Sequence, residues 1–433
     1  MVYLLEKKYR LTLDKFVIYG GKKLNGKVSI SGAKNASLAL MPAVLLSSGI
    51  SKLSKTPRLN DVFTMIKLLS QLGVKIEFNN DELILDSTAI ESFEAPYDLV
   101  KRMRASIYVL GPLLTRFGYA KVSLPGGCAW GPRPINLHLM ALKRMGAEIE
   151  LEQGYIIAKA NKLNGAKINF DIPSVGATGN TIMAASLAKG TTIINNAACE
   201  PEISNLAQFL IKMGAKINGV GTPIIEIEGV DELFPANINT IPDRIEAGTL
   251  LIAGAITKGK VELVNSNENH LYAILSKLDE AGIKVESSNG TIKIDATDTE
   301  LKSVDVSTSV FPGFPTDMQA QWIALMSLAN GTSNVTDNIY FDRFNHVPEL
   351  VRLGANIVLT ENTARVVGVK KLNGAKVMST DLRASASLVL AGLAADGTTE
   401  VLRVYHLDRG YQKIEEKLNS LGADIQRVQS SEY

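Results

Sequence analysis

Apolar positions recur at helical spacing in several stretches of the chain: Val62, Met65, Ile66 and Leu69, then Ile203, Leu206, Ala207 and Leu210, then Leu271, Ile274, Leu275 and Leu278. Each stripe predicts a helix buried on one side. A second kind of stretch, TIMAASLAKG (181–190) and ASASLVLAGLAA (384–395), is small or apolar nearly all round, which predicts a wholly buried helix. The half-buried helices end on one recurrent signal: Leu72-Gly73-Val74, Met145-Gly146-Ala147, Met213-Gly214-Ala215, Ala281-Gly282-Ile283, Leu353-Gly354-Ala355 and Leu421-Gly422-Ala423. Glycine there predicts a left-handed cap, and the residues that follow, such as Lys75-Ile76-Glu77-Phe78, predict a strand. Upstream glycines, Gly49, Gly118, Gly190, Gly259, Gly331 and Gly397, are expected to end the buried helix of each copy and open a strand.

Six copies at intervals of about 70 residues make a repeat architecture. With 433 residues the chain exceeds the roughly 250–300 residues that one core organises, so two domains of three copies each are expected. The pattern puts the buried helices inside and the sheets outside. A polar or turn-rich segment precedes each buried helix: SGAKN (31–35), APYDLVKR (95–102), PSVGAT (173–178), PDRIEAGT (242–249), FPTDMQ (314–319) and STDLRAS (379–385). Six helix N-termini result, and their positive polarity favours phosphate and carboxylate groups wherever they converge.

Charge narrows the partners. A formal net charge of +2 gives no broad field for nucleic acid or an anionic membrane, so an anionic ligand must meet a local cluster of bases. No apolar run reaches the roughly 18 residues of a membrane span, and the opening MVYLLEKKYRLTLDK lacks a signal-like apolar core. Two cysteines and four histidines without ligand spacing predict no disulfide framework and no metal centre, in keeping with a reducing cytoplasm. A loose N-terminal extension and a disordered QSSEY tail are expected, and nothing in the pattern specifies an oligomer.

The candidate chemistry starts with PGGCAWGPRP (125–134), a loop with three glycines and three prolines around Cys128 and Arg133. A thiol in exposed backbone beside a base can have its ionisation tuned, whereas Cys199, with no adjacent base, reads as structural. Lys34, Arg104, Arg133, Arg343, Arg383 and Arg409 stand at helix starts or inter-element loops. Arginine's planar fork suits carboxylate and phosphate, so several converging would hold a small, multiply anionic substrate. Asp317 and Asp381 begin the buried helices of the fifth and sixth copies, as N-caps or as general bases facing such arginines.

SGAKNA (31–36), MRASIYVLGP (103–112), PGGCAWGPRP, PSVGAT, PDRIEAGT, FPTDMQAQ, HVPEL (346–350), TDLRASASLVLAG and HLDRGY (406–411) together resemble the bacterial UDP-N-acetylglucosamine enolpyruvyltransferases, from about Phe16 to Val428. The resemblance implies an α/β fold, a two-domain inside-out α/β barrel in which each domain is threefold pseudo-symmetric, with six βαβαββ units. It implies domains 34–241 and 1–33 plus 242–433. It implies a transferase that moves the enolpyruvyl group of phosphoenolpyruvate to the 3′-hydroxyl of UDP-N-acetylglucosamine, releasing phosphate, the first committed step of peptidoglycan precursor synthesis, with no metal or organic cofactor.

Residue by residue, the resemblance makes Cys128 the acid toward the methylene carbon of phosphoenolpyruvate and the thiol that fosfomycin alkylates. It makes Asp317 the group that deprotonates or orients the sugar hydroxyl, and Asp381 a carboxylate close to the reacting carbon. Lys34, Arg133 and Arg409 match phosphate contacts; Arg343, Arg383 and Arg409 lie near the donor carboxylate. Asn35 contacts the substrates, and Arg104, Pro134, Ile135, Asn136, Leu137, Ser174, Val175, Gly176 and Ile339 match positions around the sugar nucleotide. This chain has Asn136 where the family often has aspartate, and Ala129-Trp130-Gly131-Pro132 where smaller residues are commoner. Two alternatives stand beside this reading: an enzyme acting on shikimate 3-phosphate, which lacks such a cysteine loop, and a non-catalytic paralogue that binds sugar nucleotide.

Overall fold

The structure, a computed structural model, describes residues 14–101, 103–124 and 135–429. These residues form six four-stranded sheets built to one plan. In the copy with the simplest connectivity, Lys167–Asn169 pairs in parallel with Thr191–Asn195, which pairs antiparallel with Ile224–Glu228, which pairs antiparallel with Lys216–Asn218. Register alternates the two faces. Ile168 lies opposite Ile194 and Ile194 opposite Ile225, all buried, while Lys216 and Glu228 pair across the exposed face. The first strand runs into a buried helix, Val175–Ala185, and the second into a half-buried one, Pro201–Lys212, which gives the βαβαββ order.

Two sheets borrow their opening strand from far along the chain. Asn25–Ser29 pairs in parallel with Lys260–Val264, and Asn237–Asn239 pairs in parallel with Ile50–Ser54. Asp14–Tyr19, inserted between Thr398–Leu402 and Ile425–Gln429, completes the sheet of the last copy. Contacts accordingly group the described residues into two units, one up to Ser31 together with Pro242 onward, the other Gly32–Ile241. Each has its own apolar core.

In the first of these units the helices Arg244–Ile256, Gln319–Met326 and Leu382–Ala394 pack on one another and are buried almost all round. In the second, Leu110–Phe117 packs on Val175–Ala185, and Lys34–Ala43 packs on Pro201–Lys212. The approach of Leu110–Phe117 to Val175–Ala185 depends on Gly111, where a Cβ would come within 2.4 Å of Asn180 Oδ1. That oxygen accepts the Gly111 amide instead.

The six glycines that close the half-buried helices all have positive φ, from 90° at Gly282 to 109° at Gly73 and Gly214. Gly259 lies, as expected, between the buried helix Arg244–Ile256 and the strand Lys260–Val264. Lys258 takes the left-handed conformation there, with φ 52°, and Gly259 is needed because a Cβ would reach 2.0 Å from the Leu24 carbonyl oxygen. The segment expected to lead straight into the second buried helix is broken into a short helix, Tyr97–Val100, and a 3-10 turn, Arg104–Val109. Among the described residues no helix is long and apolar enough to cross a membrane.

Candidate active site

The unit containing Pro242 onward holds Asp317, Ile339, Arg343, Asp381, Arg383 and Arg409. Asp381 behaves as an N-cap should, its Oδ1 accepting the amides of Arg383 at 2.8 Å and Ala384 at 3.2 Å. Asp317 does not. It sits inside a 3-10 turn, Thr316–Met318, ahead of Gln319–Met326, and no side chain caps that turn. Its carboxylate is instead clamped by guanidiniums, Arg343 Nη2 on Oδ1 at 2.9 Å and Arg383 Nη2 on Oδ2 at 2.8 Å. Both arginine side chains are at most 9 % exposed and that of Asp317 is 26 % exposed, so the cations are buried and the carboxyl side chain is partly exposed.

Arg383 is fixed because it belongs to the first turn of Leu382–Ala394, the helix that Asp381 caps. Its guanidinium lies 5.4 Å from the centre of the Tyr411 ring. Burial draws that guanidinium down, but Asp317, with Tyr411 and Asp243, outweighs burial and holds it above its ordinary range. The Tyr411 hydroxyl meets Thr249 Oγ1 at 2.9 Å and Gln321 Nε2 at 3.2 Å, and Gln321 Nε2 also donates to the Asp317 carbonyl at 3.0 Å. All three central helices are thereby tied at the ends that carry Asp317 and Arg383. Arg409 closes the 3-10 turn Val404–Arg409. With Asp381 it acts on His406, whose pKa is lowered by burial first and then by Arg409, Asp381 opposing.

The unit Gly32–Ile241 holds Lys34, Asn35, Arg104, Ile135, Asn136, Leu137, Ser174, Val175 and Gly176. Lys34 is the first residue of Lys34–Ala43, where the helix dipole disfavours a cation. Asp61 compensates at 3.4 Å. Ser174 caps Val175–Ala185 by accepting the Ala177 amide at 3.3 Å, and the Tyr108 hydroxyl donates to the Val175 carbonyl at 3.3 Å.

His138, on Asn136–Arg144, gathers these segments. Its Nδ1 meets Asn180 Nδ2 at 3.1 Å, and Asn180 also donates to the Ile107 carbonyl at 2.9 Å. Gly176 packs so closely on the ring that a Cβ would lie 3.0 Å from His138 Nε2. Burial, then the charge of Arg104, pushes the imidazole down to about 3, so it is neutral at physiological pH. Asn35 and Asn136 are exposed, while Ile135 and Leu137 are half-buried. Cys128, Arg133 and Pro134 lie outside the described residues. Cys199 is half-buried, and burial followed by Glu200 raises its thiol, as suits a structural cysteine.

Sequence reasoning did not single out Thr316, Asp337, Tyr411 or His138, which hold the charged groups and the substrate-matching segments in place. His138 carried a faint signal as the next residue after Leu137. Thr316 and Tyr411 lie inside FPTDMQ and HLDRGY, but their roles, like that of Asp337, appear only through contacts with distant parts of the chain.

A family model described as EPSP synthase (3-phosphoshikimate 1-carboxyvinyltransferase) matches residues 18–418. A UDP-N-acetylglucosamine 1-carboxyvinyltransferase of Chloroherpeton thalassium is 60 % identical over 97 % of this chain and 99 % of its own length. That of Chlorobium chlorochromatii is 55 % identical over 97 % of this chain and all of its own. Among solved structures, the enolpyruvyl transferase NikO from Streptomyces tendae superposes with a TM-score of 0.87 at 24 % identity, over 97 % of this chain and 100 % of that one. EPSP synthase from Acinetobacter baumannii gives 0.75 at 19 %, over 96 % of this chain and 100 % of its own, and both likenesses speak to the fold. The chain belongs to the enolpyruvyl transferase family, that of EPSP synthase and the UDP-N-acetylglucosamine 1-carboxyvinyltransferases.

Proposed function

We propose that this chain transfers the enolpyruvyl group of phosphoenolpyruvate to the 3′-hydroxyl of UDP-N-acetylglucosamine, releasing phosphate, in the cytoplasmic synthesis of peptidoglycan precursors that cell shape and division draw on. The observation that carries the reading is Asp317, a partly exposed carboxylate held by two buried guanidiniums, in a chain 60 % identical to a transferase of that name. In the first step Cys128 gives a proton to the methylene carbon of the donor while the sugar hydroxyl adds to the adjacent carbon and passes its proton to Asp317. A tetrahedral ketal results. In the second step the methyl group returns a proton to the Cys128 thiolate, the double bond reforms, and phosphate departs with the electron pair of the broken C–O bond and takes up the proton held by Asp317.

Lys34, Arg133 and Arg409 receive the phosphate, and Arg343, Arg383 and Arg409 the donor carboxylate. Asn35, Arg104, Pro134, Ile135, Asn136, Leu137, Ser174, Val175, Gly176 and Ile339 hold the sugar nucleotide. Asp381 stands near the reacting carbon. Preorganised charges of this kind stabilise both an oxocarbenium-like centre and a departing phosphate.

The test is to incubate the protein with both substrates and follow phosphate and enolpyruvyl product, with and without fosfomycin. Turnover that fosfomycin abolishes, and a Cys128→Ser variant that binds the sugar nucleotide yet turns over at least 100-fold more slowly, are expected. Phosphate release with shikimate 3-phosphate alone as acceptor would reverse the choice of substrate.

A further inference from the structure

Asp337 follows the strand Thr332–Thr336 and is fully buried, with no lysine or arginine in ion-pair contact among the described residues. A carboxylate in that setting is tolerable only if its oxygens are satisfied. Oδ1 takes three donors, Thr308 Oγ1 at 2.7 Å and, closing a tight turn, the Ile339 amide at 2.9 Å and the Tyr340 amide at 3.0 Å. Oδ2 takes one, Thr316 Oγ1 at 2.7 Å. The same Thr316 oxygen accepts Arg343 Nη1 at 2.9 Å, and Arg343 Nη2 reaches Asp317.

A hydroxyl has one proton and can accept through its lone pairs. Because Asp337 Oδ2 takes the Thr316 proton, a Thr316 lone pair is turned toward Arg343. The turn closed by Oδ1 adds a second support, since the Arg343 guanidinium lies 5.6 Å from the centre of the Tyr340 ring. We propose that Asp337 is a positioning residue for the enolpyruvyl-donor site, setting through Thr316 the orientation of the guanidinium that holds Asp317 and meets the donor carboxylate. This rests on the function proposed above.

The two oxygens separate a structural role from a positioning one. Asp337→Asn keeps an acceptor for the turn but presents an amide donor to Thr316, so the hydroxyl loses its acceptor. Thr316→Val breaks the link from the other side, and Thr316→Ser keeps the hydroxyl. Steady-state kinetics should show Asp337→Asn and Thr316→Val each lowering kcat/KM for phosphoenolpyruvate about tenfold, the worth of one charge-assisted hydrogen bond. KM for the nucleotide sugar and the melting temperature should stay near wild type, Thr316→Ser should recover most of the loss, and the double variant should be no worse than either single one. Wild-type kinetics in both single variants, or equal losses in the serine and valine variants, would overturn the link. Should the wild type itself release no phosphate from these substrates, the function fails, and crystal structures of Thr316→Val decide the link separately: Arg343 moved off Asp317 supports it, Arg343 unmoved overturns it.

Discussion

Asp317 can serve as a base only if its clamp leaves a lone pair for the acceptor. Each carboxylate oxygen has two lone-pair directions. One guanidinium bonds each oxygen, and the side chain stays 26 % exposed. Asp317→Asn preserves the shape but cannot take a proton, so kcat should fall by about 10²–10⁴ with sugar-nucleotide binding by calorimetry little changed; a rate within threefold of wild type would remove the role. Two histidines make a separate statement about pH. His138 and His346 are both held down to about 3, by burial first and then by Arg104 and Arg343 respectively, against an ordinary value of 6.5. The unfolded chain therefore binds more protons than the folded one as pH falls below 6.5, and stability present above that value is lost toward about 3. Denaturant melts between about pH 6 and pH 4 should show each histidine contributing about 1.4 kcal/mol per pH unit, and His346→Gln should remove one such share of the slope. The kind of residue at position 317 was legible from FPTDMQ. Its choice between capping and clamping was not, because that turns on a 3-10 turn and on arginines 26 and 66 residues further along.

At the scale of elements, the glycine stops and the two kinds of helix were readable because both follow from local rules, backbone handedness and the width of the apolar stripe. The place of Gly259 followed from the same rules, but the reason it must be glycine did not. Its need for a bare Cα comes from Leu24, a residue 235 positions earlier that arrives with the borrowed strand. The same distinction separates two substitutions. Gly154, with φ +81° and nothing within 4 Å of the place a Cβ would take, needs only its conformation, so Gly154→Ala should cost about 1–2 kcal/mol. At Gly111 the added carbon meets Asn180 Oδ1 at 2.4 Å and the Asn180 carbonyl oxygen at 2.6 Å, in a helix contact that cannot relax alone. Gly111→Ala should cost more, about 2–4 kcal/mol, in equilibrium unfolding. An equal loss at the two sites would show that the helix contact yields where it is described as tight.

Across the whole molecule, the repeat count pointed to two three-copy bodies, but periodicity does not say which strand joins which sheet, so the course of the chain was expected from the resemblance alone. The return of the chain is secured in one unit by a buried group: Glu246 accepts from Lys417 and from the Ser31 amide at 3.3 Å, and Lys417 donates to Ser31 Oγ at 2.7 Å. Burial raises the Glu246 carboxyl, and Lys417 works against that. Lys417→Ala would leave the acid buried without its cation, for a loss of about 3–5 kcal/mol. Hydrogen exchange should quicken in residues up to 31 and from 242 onward while 32–241 stays protected; uniform quickening would contradict two separate cores.

The strand Asn25–Ser29 leaves the ribosome well before its partner Lys260–Val264, which is made some 230 residues later. Synthesis order and assembly order are reversed there. The unit Gly32–Ile241 holds all its strands once residue 241 has been made, so it can close during translation while the segment before it waits, and no contiguous fragment beginning at 242 carries everything the sheet of Lys260–Val264 requires.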